Sequence, residues 1–204
     1  MTFIIVIFTL AISIRAFYNK DMDDRLIFKP YQVYHRLEWY RIITHGFLHA
    51  GWMHLIINML VLLSFGGTAE FAFNVMAQTT RMNYPNLCYL TFYILSIVIS
   101  SLTTLYKHMD HEWYSSVGAS GAVLAVLFCS IFFDPKMTLL IMGIIPIKAY
   151  LFGPLYLLYS WYSARKANDN INHDAHLMGA VFGFCFPLIV DVSLFRWFID
   201  SLFR

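Results

Sequence analysis

Apolar stretches long enough to form helices alternate with polar connections along most of the chain. A membrane span takes about 20 apolar residues, and fewer where the helix begins or ends below the membrane surface. The segment Met137–Lys148 is also apolar, but Pro146 interrupts it, so we expect it to lie at the membrane surface. The pattern predicts an all-α membrane protein with six transmembrane helices: Thr2–Tyr18, Gly46–Phe65, Asn86–Tyr106, Ser120–Phe133, Lys148–Tyr162 and His173–Phe195.

A long polar connection, Asn19–Thr44, follows the first predicted span. It is rich in charged and aromatic residues, and loops of this length are uncommon unless they are functional. The apolar N-terminal stretch has no basic segment before it and no small-residue cleavage site after it. We therefore expect it to be retained as a span rather than removed as a signal peptide. With six spans, the second, fourth and sixth helices begin at the same membrane face.

The composition is that of a membrane protein. Of the 204 residues, 59% are hydrophobic and 13% are charged, whereas a soluble domain usually carries about twice that charged fraction. The length suits one domain, so we expect residues 1–204 to form a single membrane domain. There is no block of basic residues to indicate a nucleic-acid partner. Cys88, Cys129 and Cys185 lie in apolar runs and favour buried packing thiols.

Two residues on different predicted helices indicate hydrolytic chemistry. Ser120 opens the fourth span and His176 lies in the first turn of the sixth, so both lie near the same face at similar depth. A serine becomes a nucleophile when a base accepts its proton, and a nearby imidazole is the usual base. Asp174 points to another face of its helix and Asp191 lies near the far end, so no acid completes a triad. Each residue alone is more often a packing or interfacial group, but the pair predicts a Ser–His dyad.

The predicted depth of Ser120 requires water inside the protein. The span Ser120–Phe133 has 14 residues, about 21 Å of helix, whereas the hydrocarbon core is about 30 Å thick. We therefore expect a wet cavity near Ser120, lined by Tyr114–Ala119 as non-helical backbone. Gly118 permits unusual backbone angles there. The backbone amide of Ser120, at a helix N-terminus, can face an oxyanion.

Small residues on the sixth span indicate close helix packing. Gly179 and Gly183 share one face of that helix with His176, because their spacing follows the helical repeat. Glycines on a membrane helix allow another helix to approach closely. We therefore expect these two glycines to bring His176 within reach of Ser120.

The second span carries polar residues whose role the sequence alone leaves open. His54 and Asn58 are one helical turn apart and share a face. They can form a polar clasp between helices, or they can join the Ser120 amide as donors to an oxyanion. A metal site is disfavoured, because His45, His49 and His54 would not converge from one regular helix and no carboxylate lies among them. We expect no metal and no other cofactor.

Five motifs, in order and on these predicted helices, resemble those of the rhomboid family of intramembrane serine proteases. The resemblance implies the minimal six-span bacterial form, a rhomboid-like bundle with a long, partly embedded first loop. Such a protein would be a multi-pass integral protein of the bacterial inner (plasma) membrane. The motifs are EWYR (Glu38–Arg41), HGFLHAGWMHLIIN (His45–Asn58), GGTAE (Gly66–Glu70), GASG (Gly118–Gly121) and AHLMGAVFG (Ala175–Gly183).

The resemblance also implies roles for individual residues. Ser120 would be the nucleophile and His176 the general base, and His54, Asn58 and the Ser120 amide would form the oxyanion hole. The substrates would be single transmembrane segments of membrane proteins, cut near the membrane surface after a small residue; the oligomeric state stays open. The supporting residues would be Gly118, Gly121, Gly179 and Gly183, together with a network that orders the first loop: Glu38, Arg41, His45 and His49.

Two other functions are compatible with the same helices. A catalytically inactive rhomboid-like binder of membrane helices would retain the fold without needing the dyad. A small transporter would use the polar residues of the spans without any reactive serine. Because Ser120 and His176 are both present, the protease is the preferred interpretation.

The distribution of basic residues bears on orientation. The family orientation places the active-site face outside, whereas the positive-inside rule would place the more basic face in the cytoplasm. Most of the basic residues on the active-site face lie in or beside the first loop, so we keep the family orientation. The active-site face carries nine, Arg15, Lys20, Arg25, Lys29, Arg36, Arg41, Lys107, Arg165 and Lys166, and the other face five, Arg81, Lys136, Lys148, Arg196 and Arg204.

Overall fold

A computed structural model describes residues 1–80, 83–141, 143–166 and 171–203. Arg81 and Arg204, which entered the comparison of basic residues, lie outside the described residues. Two short antiparallel strands, β1 (Thr138–Ile141) and β2 (Ile145–Lys148), separate the seventh and eighth helices. The helices in chain order are α1 (Thr2–Phe17), α2 (Lys20–Leu26), α3 (Pro30–His35), α4 (Arg41–Thr44), α5 (Trp52–Thr80), α6 (Pro85–His108), α7 (Ser120–Phe133), α8 (Ala149–Lys166), α9 (His173–Val190) and α10 (Leu194–Phe203).

Three of the described helices are long and apolar enough to cross a membrane: α5, α6 and α9. The helices α1 and α7 are apolar but shorter, with 16 and 14 residues. The helix α8 has 18 residues and contains Pro154, but it is not among the helices that are apolar enough to cross a membrane by length and composition. The chain is therefore a mostly helical membrane protein, and the count of six spans stays a prediction.

The helix α7 lies at the centre of the bundle. Every residue of α7 after Ser120 is buried, which is typical of a helix that is apolar on all sides. It packs against α5, α6 and α9, while α8 packs mainly on α9. The N-terminus of α7, and with it Ser120, is consequently surrounded by the elements that form the candidate site.

Two of the predicted span boundaries are wrong. The second span was expected at Gly46–Phe65, but α5 begins at Trp52 and continues to Thr80, because the small and polar residues after Phe65 remain helical. The sixth was expected to reach Phe195, but α9 ends at Val190. The Asp191 carboxylate accepts the backbone N–H of Ser193 at 2.8 Å, which favours a turn over continued helix.

The expectation of an all-α protein is also wrong in one segment. The apolar stretch before α8, Met137–Lys148, forms the β1–β2 hairpin, in which Leu140 pairs with Pro146. Gly143 takes φ +74° between the strands, an angle that glycine adopts without strain. A two-stranded hairpin has only edge strands, so it tolerates a proline that cannot donate a backbone hydrogen bond.

The long first connection is built from short helices rather than irregular loop. Because α5 begins only at Trp52, the connection after α1 extends past Thr44; it contains α2, α3, α4 and a 3₁₀ turn at His45–Phe47. Arg41, only 4% exposed, organises it: Nε donates to Glu38 at 2.5 Å, and Nη1 donates to the backbone carbonyls of Asp24 and Ile27 at 2.8 and 2.9 Å. The bond from Arg41 lowers the pKa of Glu38. This geometry gives Arg41 and Glu38 a structural place in the first connection.

Candidate active site

Ser120 and His176 meet where α7 and α9 begin. The Nε2 atom of His176 lies 2.9 Å from Oγ of Ser120, although the residues are 56 positions apart in the sequence. Ser120 is the first residue of α7, and His176 lies in the first turn of α9. Both side chains are half-buried. The contact has the geometry required for proton transfer from a serine to an imidazole.

Glycines allow α9 to approach α7 closely enough for this contact. A Cβ atom added at Gly179 would overlap the carbonyl group of Gly121, and one added at Gly183 would overlap the carbonyl group of Ala125. Any larger residue at these positions would therefore press on backbone, which cannot move aside as a side chain can. The small faces of α7 and α9 set the distance between Ser120 and His176.

A tyrosine that sequence reasoning missed lies on the other side of the imidazole. The hydroxyl of Tyr156, on α8, is 3.2 Å from Nδ1 of His176. In the tautomer that carries its proton on Nδ1, the ring donates to Tyr156 and leaves Nε2 free to accept from Ser120. Nothing in the sequence distinguishes Tyr156 from its neighbours on α8: Tyr150, Tyr159 and Tyr162.

The segment before Ser120 is non-helical and is held by backbone hydrogen bonds to the first connection. Phe28 and Ser116 exchange two backbone bonds of 3.1 and 3.0 Å, and the Gly118 N–H donates to the His45 carbonyl at 3.1 Å. Gly118 adopts φ +132°, which an L-residue rarely tolerates. The sequence pattern does not reveal the Phe28–Ser116 pairing, because backbone hydrogen bonds do not depend on the type of side chain.

His54 lies against Gly118, two residues before Ser120, and Asn58 lies one turn deeper in α5. A Cβ at Gly118 would come within 2.9 Å of Cε1 and 3.2 Å of Nε2 of His54, which places the imidazole against the segment that precedes Ser120. The Ala50 N–H approaches Nδ1 of His54 at 3.4 Å, which favours a proton on Nε2. Asn58 is 6% exposed, and Nδ2 donates to the His54 carbonyl at 2.9 Å; its second N–H is available to another acceptor.

His45 and His49 occupy different surroundings from Glu38 and Arg41, with which the resemblance grouped them. The His45 ring packs on Phe28 with centroids 4.8 Å apart, and burial lowers its pKa to about 3, so the ring is neutral. His49 Nδ1 lies 2.9 Å from Oγ of Ser13 on α1, and its ring contacts His54. The structure thus separates a cluster around Arg41 from two histidines that support the residues next to Ser120.

A small polar cavity adjoins Ser120. Its volume is about 20 Å³, which is room for one water molecule. Ser120, Ser100, Ser116 and Asn172 line it together with His45. Within the described part of the chain, no group of three or more His, Cys, Asp or Glu residues is arranged to hold a metal ion. The polar side chains around Ser120 thus line a space that one water molecule can occupy.

Comparisons with known proteins identify what this chain is similar to. A family model described as "Rhomboid domain" matches residues 36–191, a range that contains the dyad, His54, Asn58 and Tyr156. The chain is 29% identical over 143 residues to "RHOMBOID-like protein 12, mitochondrial" from Arabidopsis thaliana. That match covers 68% of this chain and 43% of the plant protein, so the chain spans less than half the length of this relative.

Proposed function

The chain belongs to the rhomboid family, and from this premise we propose that it is an intramembrane serine endopeptidase. Its substrates would be transmembrane segments of membrane proteins. The observation that carries the proposal is the 2.9 Å contact between Nε2 of His176 and Oγ of Ser120. A serine and an imidazole in this geometry form a nucleophile and its base.

The proposed reaction proceeds through an acyl-enzyme. Oγ of Ser120 attacks the carbonyl carbon of the scissile peptide bond, and Nε2 of His176 takes the hydroxyl proton. The protonated imidazole then gives this proton to the leaving amine, and the peptide C–N bond breaks. In the second half of the reaction, His176 removes a proton from water, and the resulting hydroxide attacks the carbonyl carbon of the acyl-enzyme. Oγ of Ser120 then leaves and takes back the proton from His176. Tyr156 holds the ring in the required tautomer through Nδ1.

Donors at the start of α7 and α5 would stabilise the negative oxygen of the tetrahedral intermediate. The Ser120 N–H lies in the first turn of α7, where amides have no helical partner and the helix dipole favours negative charge. The side chain of His54 lies beside Gly118, and the favoured tautomer carries a proton on Nε2. The second N–H of Asn58 is the remaining candidate, one turn deeper. Such preorganised donors commonly supply the largest share of catalysis in acyl transfer.

The setting of the reaction is the lipid bilayer. The chain is an integral membrane protein, and we propose six spans, with α1, α7 and α8 added to the three long apolar helices. We further propose that residues 1–204 form a single rhomboid-like membrane domain. The bacterial inner membrane stays part of the proposal, and the name of the plant relative makes a mitochondrial membrane the alternative to test.

The second candidate function is capture of membrane helices without cleavage. It is favoured by the description of the relative as rhomboid-like at 29% identity, since rhomboid-like folds need not retain activity. The Ser120–His176 contact supports the protease over this candidate. A transporter, the third possibility, would not require the two side chains to touch.

The proposal is tested by reconstituting the purified chain in liposomes with a tagged protein that has a single transmembrane segment. We expect two fragments whose masses place the cut within or at the edge of that segment, after a small residue. An intact substrate that co-purifies with the chain would support the binder instead. Solute flux without fragments would support the transporter.

The contact between Tyr156 and the imidazole gives a specific prediction. Tyr156→Phe removes the hydroxyl and keeps the ring, so turnover should fall by about three- to tenfold, the effect of one neutral hydrogen bond. Tyr159→Phe, one turn along the same helix face, is the matched control and should cleave like the parent. The initial rates of cleavage of the two variants and the parent are compared at saturating substrate. Equal rates for Tyr156→Phe and the parent would remove Tyr156 from the site.

Substitutions at Asn58 separate an oxyanion donor from a packing residue. Asn58→Leu restores apolar volume without a donor, so the protein should remain stable while turnover falls by about 10²–10³-fold. Asn58→Ala should be equally slow and less stable, because it leaves a cavity. Melting temperatures and initial rates are measured for both variants in the same detergent. If Asn58→Leu cleaves at the parent's rate, Asn58 is structural and the oxyanion role is wrong.

A further inference from the structure

Polar side chains join the last turn of α6 to the first turn of α9, the helix that carries His176. Asn172 Nδ2 donates to Oγ1 of Thr104 at 2.8 Å, and that hydroxyl lies 3.2 Å from Asn172 Oδ1. Lys107 Nζ donates to both carboxylate oxygens of Asp174, at 2.8 and 2.7 Å. Thr104 is 1% exposed, and its bond to Asn172 is part-buried. These four residues together are called the α6–α9 clamp below.

Asn172 connects the clamp to His176 through the backbone. Its Oδ1 accepts the Ala175 N–H at 3.0 Å and thereby caps α9. Its carbonyl accepts the N–H of His176 at 3.2 Å. The first amides of a helix have no partner within the helix, so this cap fixes where the helix begins. A shift of Asn172 relative to α6 would therefore move His176, which lies one turn later.

The same helix α6 also supports the turn that carries Ser120. A Cβ added at Gly121 would overlap the side chain of Ser100 on α6 and would lie 3.2 Å from the Ala175 carbonyl. The first turns of α7 and α9 therefore rest on one helix, at Ser100 for the serine and at Thr104 for the histidine. Ser100 and Asn172 both line the small cavity beside Ser120. In addition to the close packing of α9 on α7, the two reacting groups thus share α6 as a common support.

The two contacts of the clamp differ in strength. The Lys107 and Asp174 side chains are 45% and 22% exposed, and ion pairs in contact with solvent contribute little to stability. The Thr104–Asn172 bond is part-buried, and Thr104 itself is buried, so leaving its hydroxyl without a partner would be costly. Thr104 is therefore the residue on which the position of Asn172 depends most.

We propose that the α6–α9 clamp, with Thr104 as its buried anchor, positions His176 for proton transfer from Ser120. This inference rests on the proposed function. Thr104 and Asn172 are positioning residues, since they act through the first turn of α9 and not on the reacting atoms. Small displacements matter here, because a misplacement of about 1 Å can cost about 10²-fold in rate.

The test removes the hydroxyl and keeps the shape. In Thr104→Val the cap from Asn172 to Ala175 remains, but the bond from Asn172 to α6 is lost. We expect kcat to fall by about tenfold, the effect of one hydrogen bond. KM should stay within about twofold of the parent's value. Labelling of Ser120 by a fluorophosphonate should slow by the same factor. Thr104→Ser should restore both rates. Thr103→Val, the same change at the preceding position of α6, is the control and should behave like the parent.

Hydrogen exchange tests the clamp without requiring turnover. Amides of residues 173–176 should exchange faster in Thr104→Val than in Thr103→Val, while the C-terminal half of α9 exchanges as in the parent. Equal exchange and equal kcat in the two variants would overturn the clamp. A parent that shows no Ser120-dependent cleavage or labelling would overturn the proposed function instead, and the exchange comparison would still decide whether Thr104 holds the first turn of α9.

Discussion

Ser120→Ala and His176→Ala should each lower the rate of cleavage by at least about 10⁴-fold, because a nucleophile and its base act as one unit. The double variant should be no slower than either single variant for the same reason. Melting temperatures should stay close to that of the parent, since both side chains are half-buried at helix starts and fill no core position. Initial rates of fragment formation and thermal melts on the same preparations make the comparison.

The control for this prediction is Ser130→Ala on the same helix. Ser130 is a buried serine near the far end of α7, and its hydroxyl donates to the carbonyls of Phe65 and Val126 at 3.0 and 2.9 Å. Its replacement should affect stability more than turnover. Normal turnover by Ser120→Ala would contradict the assignment of the nucleophile. If Ser130→Ala lost as much activity as Ser120→Ala, the loss would reflect a damaged fold rather than a missing nucleophile.

Gly179→Val should destabilise the protein by at least about 2 kcal/mol and lower turnover by more than about tenfold. The added atoms would overlap the carbonyl group of Gly121, so α9 must move away from α7. The movement also takes His176 away from Ser120, which couples the loss of stability to a loss of activity. Thermal melts and initial rates in one detergent measure both effects.

Gly67→Val is the matched control, because a Cβ at this helical glycine would meet nothing within 4 Å. This variant should melt and cleave close to the parent. A parent-like Gly179→Val would mean that the two helices are not held in close contact. A Gly67→Val as unstable as Gly179→Val would assign the effect to the loss of helical glycine in general.

The helix pattern predicted the parts of the fold that depend on long apolar runs. Ser120 was expected to open a helix and His176 to lie in the first turn of another, and the structure brings them into contact. The reason is topological: alternate helices of a bundle begin at the same face. Gly179 and Gly183 also predicted that α9 approaches α7 closely, because their spacing places both on one face of the helix.

The pattern of apolar and polar residues does not predict three features of the structure: the place of Tyr156, the end of α5 and the β1–β2 hairpin. Helical periodicity shows which residues share a face, but not which face meets α9, so Tyr156 was not separated from the other tyrosines of α8. The end of α5 at Thr80 was missed because polar residues such as Glu70 lower the hydropathy without ending the helix. The β1–β2 hairpin was missed because its short apolar run resembles part of a helix as much as a strand.

The most direct test of the central claim is the site of labelling by a fluorophosphonate, identified by mass spectrometry of peptides from the folded protein. Only a serine activated by a neighbouring base reacts readily, so we expect one adduct, on Ser120. The adduct should be strongly reduced in His176→Ala and absent after heat denaturation. An adduct on another serine, or labelling of Ser120 at the parent's rate in His176→Ala, would contradict a nucleophile activated by His176.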